Sequence, residues 1–126
     1  MKDIYAEALP NGWAFVIIGD GLRALFTAIK LNTRYPERVY LIGQLPRYSK
    51  YIFDRQNQID LPKNCKKEFA LRRALDELAS RIREEIPVIE PLSDEYDQIL
   101  KHHQNSLEKS FLASCETKFF DEGALQ

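Results

Sequence analysis

An apolar, β-branched run, Ala14-Phe15-Val16-Ile17-Ile18, meets a Gly19-Asp20-Gly21 turn and passes directly into the helical spacing of Leu22, Leu25, Phe26 and Ile29. A second β-like stretch, residues 38–45, follows after one helix length. A strand–turn–helix–strand unit is therefore written into the first part of the chain. Residues 13–18 are almost continuously apolar, which suits a strand buried on both faces. Glycine is the ordinary means of turning sharply between such a strand and a helix, because it reaches positive φ without a Cβ clash.

The rest of the chain extends this unit. Residues 4–9 read as a strand, and Pro10-Asn11-Gly12 reads as a tight turn, so residues 4–18 suggest an N-terminal hairpin. Pro36 ends the first helix, since the residue before a proline avoids the α region. Tyr51-Ile52-Phe53 suggests a short return strand, and residues 56–64 read as a loop. Leu71, Leu75, Leu78, Ile82 and Ile86 recur at helical spacing over residues 66–86, until Pro87 stops them. Residues 88–92 then form a link to a long final helix, capped by Ser93 or Asp94 and reaching toward Phe120.

The expected fold is α+β over residues 1–126 as a single domain. It has a small, mainly antiparallel sheet starting with the N-terminal hairpin, one helix after the Gly-Asp-Gly turn, and a C-terminal pair of long amphipathic helices. Leu75, Leu78, Ile82, Leu100, Leu107 and Phe111 are expected to share a core with Val16 and Ile18. A chain of 126 residues, 44% hydrophobic and 29% charged, closes such a core without staples and is too apolar for disorder. Met1-Lys2-Asp3-Ile4 carries no signal pattern and no apolar run is long enough to span a bilayer, so a cytoplasmic protein is expected. Cys65 and Cys115, far apart and outside any C-x-x-C pair, fit reduced thiols.

Gly19-Asp20-Gly21-Leu22-Arg23-Ala24 fits G-x-G-x-x-G/A, where backbone N–H groups and a helix N-terminus face a phosphate. Residues 15–43 resemble the first strand–helix–strand of flavin- and nicotinamide-binding enzymes. The run Phe15 through Gly21, then Ala24, Ala28 and residues 38–42, stand where that fingerprint places them. The resemblance implies a nucleotide held at Gly19, Gly21 and Ala24. Two features depart from it: Gly43-Gln44 stands in place of the ribose-binding acid, and Asp20 puts a negative charge inside the loop. The reading adopted is a structural turn with no cofactor, and nucleotide binding is the alternative.

Charge is distributed unevenly although the net value is only −1. Arg23, Lys30, Arg34, Arg38, Arg47, Lys50 and Arg55 face only Glu37 and Asp54 over residues 23–55. Tyr35, Tyr40, Tyr48 and Tyr51 interleave with them. From Glu90 onward the balance turns acidic. Arginine and tyrosine dominate interface hot spots, and they also suit phosphate contact with base stacking. The expectation is a partner-binding face at Arg47, Tyr48, Lys50, Tyr51 and Arg55, in a small protein that binds and inhibits or regulates another macromolecule. A protein partner is the first choice, and nucleic acid bound through residues 34–55 is the alternative. No membrane partner is expected.

No catalytic or metal residue is assigned. His102 and His103 are adjacent, so on a helix they point in different directions. His103 and Cys115 would stand about 18 Å apart along one helix. Lys63, Lys66 and Lys67 around Cys65 make it the more reactive of the two thiols.

Overall fold

The computed structural model describes residues 13–82, 86–104 and 116–117. The strands are β1 (Trp13–Ile18), β2 (Val39–Gly43), β3 (Gln58–Asp60), β4 (Ile86–Pro91) and β5 (Glu116–Thr117). The helices are α1 (Gly21–Arg34), α2 (Ser49–Ile52), α3 (Lys67–Arg81) and α4 (Asp94–Gln104), with a 3-10 turn at Arg55–Asn57. The strands form one sheet in the order β3-β2-β1-β4-β5, and every pairing is parallel. The chain steps outward from β1 to β2 and β3, then returns through α3 to lay β4 on the other side of β1.

This overturns the expected mainly antiparallel sheet. β1 pairs with β2 along one edge, Phe15 opposite Val39, and with β4 along the other, Phe15 opposite Val88. Neither edge is open to a hairpin partner; residues 4–9 themselves lie outside the described residues. The pair of long C-terminal helices is overturned as well. α3 ends at Arg81, residues 86–91 form a central strand, and α4 covers Asp94–Gln104 among the described residues. β5 falls within the stretch expected to continue that helix. The misreading has a physical origin: Pro87 and Pro91 remove two ladder donors and mark a link in most sequences. In β4 they occupy the second and last positions, near the ends of the ladder. Residues 51–53 likewise belong to α2 and the bend after it, and β3 lies in the expected loop.

Alternation along the strands feeds a core on each face of the sheet. Val16, Ile18, Ile42 and Ile89 meet Leu71, Leu75 and Leu78 of α3 and Tyr96 and Leu100 of α4. Phe15, Ile17, Leu41 and Val88 meet Ala24, Leu25 and Ala28 of α1, with Phe53 after α2. The expected sharing of one core by Leu75, Leu78, Ile82, Leu100, Val16 and Ile18 is found. Leu107 and Phe111 lie outside the described residues. On α1 the small Ala24 and Ala28 bring the helix onto the sheet, which rotates Leu22 and Phe26 out to 48% and 58% exposure. Among the described residues no helix is long and apolar enough to cross a membrane.

Candidate functional site

All strands of a parallel sheet end along one edge, where the helices begin. In doubly wound sheets ligands bind outside that edge, at the point where neighbouring connections leave for opposite faces. Here that point lies between β1, followed by Gly19-Asp20 and α1, and β4, followed by Leu92-Ser93 and α4. The expected cofactor residues Gly19, Gly21 and Ala24 are at this point. The Gly19 N–H donates to the Ile42 carbonyl at 2.9 Å, and the Gly21 N–H donates to the Gln44 carbonyl at 2.9 Å. Two amides that a phosphate cradle would use are thus spent inside the protein. Gly21 does have φ +67°, the left-handed conformation that glycine makes inexpensive.

Asp20 organises the surroundings of the turn. Its Oδ1 accepts from the Gln44 N–H at 2.8 Å and from the Tyr96 hydroxyl at 2.5 Å. Its Oδ2 pairs with Lys67 Nζ at 2.8 Å, and the same ammonium reaches Glu95 at 2.5 Å. Burial alone would raise the Asp20 carboxyl, but the hydrogen bonds from Lys67, Tyr96 and Gln44 and the lysine charge outweigh it. The group is held below the ordinary carboxylate value. Hydrogen bonds to Asp20 and Glu95 raise Lys67. Burial and the adjacent Asp20 raise the Tyr96 hydroxyl. The cluster joins the starts of α1, α3 and α4 through one neutralised carboxylate. Sequence reasoning missed it because Lys67 and Tyr96 stand far from Asp20 along the chain.

The β2–β3 crossover carries a different arrangement. An open hollow of about 640 Å³ lies beside β3, and Arg47, Lys50 and Arg55 line it together with a single acid, Asp60. Hydrogen bonds, several of them neutral, hold the frame. The Gln58 amide donates to the carbonyls of Ser49 at 3.2 Å and Phe53 at 2.9 Å, and its oxygen accepts from the Ser49 hydroxyl at 2.8 Å. Asp54 accepts from the Gln56 N–H at 2.9 Å, closing the 3-10 turn. Asp60 accepts from the Leu45 N–H at 2.9 Å. Arg81 at the end of α3 donates to the carbonyls of Gln56 and Gln58. The buried Phe53 anchors the crossover from below.

The cations themselves point outward from this frame. Among the described residues, the side chains of Arg47 and Arg55 form no ion pair or hydrogen bond, and the Lys50 ammonium lies 5.2 Å from the Tyr51 ring. Tyr48 and Tyr51 flank them at 47% and 72% exposure. The five residues assigned to a partner-binding face therefore sit on one crossover, and three of them line one hollow.

The remaining candidates are dispersed. Cys65 is half-buried against the α3-side core, and Lys67 is engaged with Asp20 and Glu95. His102 is exposed on α4; the side chain of His103 and all of Cys115 lie outside the described residues. Among the described residues, no three His, Cys, Asp or Glu side chains group as metal ligands. A scan against models of known protein families matches none, and searches of curated proteins and of solved structures return no match.

Proposed function

We propose that this chain is a binding module that engages an acidic protein partner through the β2–β3 crossover. The observation that carries this reading is the convergence of Arg47, Lys50 and Arg55 on one hollow with a single opposing acid. Cations that have no ion pair among the described residues gain their Coulomb and hydrogen-bond energy when a ligand arrives, and the backbone frame that carries them is already ordered. Exposed Tyr48 and Tyr51 beside them supply the rigid amphipathic contacts that dominate interface energetics. Helix α4 opens with Asp94, Glu95 and Asp97, so the molecule carries an acidic region as well as the basic crossover, and charge of both signs orients an approaching charged protein.

The test is affinity capture from the native host after nuclease treatment, with wild type and the double variant Arg47→Ala, Tyr48→Ala compared by quantitative mass spectrometry. A captured protein that disappears with the variant is the expected result. Equal capture by a variant that melts like wild type overturns the assignment of the face. Salt separates the alternative: nucleic acid loses affinity log-linearly with salt, whereas a protein partner loses mainly on-rate. A nucleotide at Gly19, Gly21 and Ala24 would instead show as a saturable thermal shift with NAD, FAD or ATP that Gly21→Ala removes.

A further inference from the structure

We infer that the hollow beside β3 is a site for a phosphate monoester. The inference rests on reading the β2–β3 crossover as a binding face, and it names the chemistry of the group that enters it. Three cations and one acid line the hollow, giving a formal surplus of two positive charges. One carboxylate neutralises half of that surplus. A phosphate monoester, which carries about −1.5 to −2 at neutral pH, neutralises nearly all of it.

Donor geometry points the same way. Arg47 and Arg55 each present a planar fork that matches a tetrahedral oxyanion through two parallel N–H donors, and Lys50 adds a compact point charge. Asp60 would repel an anion, but one of its oxygens is already committed to the Leu45 N–H at 2.9 Å. The hydroxyl of Ser49 and the amide of Gln58, the neutral polar groups on the wall, are bonded to each other. They hold α2 against β3, which keeps Lys50 on the hollow's wall. The hollow, at about 640 Å³, leaves room beside one phosphate group for the rest of the ester. Tyr48 and Tyr51, next in sequence to Arg47 and Lys50, are exposed. Two sources share this chemistry: a phosphorylated side chain of a protein partner and a free phosphorylated metabolite.

The experiment is titration calorimetry on the full chain with four probes: inorganic phosphate, glycerol phosphate, and a blocked pentapeptide with a central serine, phosphorylated or not. Saturable binding of the phosphorylated probes is expected, with no binding of the unphosphorylated peptide. Arg47→Ala and Arg55→Ala should each weaken it by about tenfold or more, the effect of one lost charge-assisted pair. Both side chains are exposed, and unchanged melting temperatures would confirm that the variants fold. Among the described residues no histidine lines the hollow, so affinity for the phosphate monoesters should rise between about pH 5.5 and about pH 7.5, as their second proton leaves near pH 6.

A phosphopeptide at least about tenfold tighter than glycerol phosphate assigns the site to a protein partner, and the reverse order assigns it to a metabolite; both support the site. Absence of saturable binding, unchanged affinity in both arginine variants, or a flat pH profile overturns it. If phosphate fails while Arg47→Ala, Tyr48→Ala still abolishes partner capture, the binding face stands and its ligand is a plain acidic side chain. If that double variant keeps its partner, the face itself is misassigned.

Discussion

A methyl group at position 43 has nowhere to go. A Cβ built on Gly43 would lie 1.5 Å from the Gly19 carbonyl oxygen, because the end of β2 presses directly on the turn after β1. At Gly21 the space is open, and only the positive φ of 67° resists a side chain. The two glycines should therefore respond differently to alanine. Gly21→Ala is expected to cost about 1–2 kcal/mol, the penalty of a left-handed residue. Gly43→Ala should cost about 3 kcal/mol or more, because backbone must move. Urea unfolding of both variants checks the order; equal costs would mean that the β2 end yields easily. The sequence pointed to Gly19 and Gly21, since their spacing forms a local motif. Gly43 entered only as the residue standing where a ribose-binding acid was sought. Its close approach to Gly19 joins two strands and leaves no mark in local spacing.

Helix α3 buries Ala70, Leu71, Ala74, Leu75 and Leu78 against the sheet, and its spacing was legible from sequence alone. Leu78, 1% exposed, lies in the core shared by Val16 and Ile18. Leu78→Ala should destabilise by about 2–5 kcal/mol in denaturant unfolding, from lost burial plus the cavity left behind. A near-neutral result would show that α3 is not docked on the sheet in solution. The elements on either side of α3 were not legible. β3 has three residues, too few to display an alternation, and its pairing to β2 is defined only by the neighbouring strand. β4 was hidden by Pro87 and Pro91, which act locally as breakers and are overruled by a long-range ladder to β1. The five side chains of the proposed face were legible by type. That three of them, Arg47, Lys50 and Arg55, line one hollow depends on α2 folding back on β3 through Gln58, which no periodicity announces.

For the molecule as a whole, the Asp20–Lys67–Tyr96–Glu95 cluster links pH to stability. The folded Asp20 carboxyl lies below its ordinary value, so its contribution is present above the unfolded carboxylate range, about 3.9. It is lost as pH falls through that range toward the folded value. Lys67 and Tyr96 are raised, so their contribution is present below their ordinary values, about 10.4 and about 10, and is lost as pH climbs past them. Melting temperatures of wild type and Asp20→Asn should therefore converge on acidification below about pH 4. A gap independent of pH would show that Asp20 acts through shape and not charge. The topology has another consequence, in time. β1 is the middle of the sheet, yet its second neighbour, β4, emerges from the ribosome only after α3 has been made. Until then one edge of β1 and the face that α3 and α4 will cover stand open to other chains. Closure of this sheet thus waits on β4, and a chain that lacks it leaves the central strand with an unpaired edge.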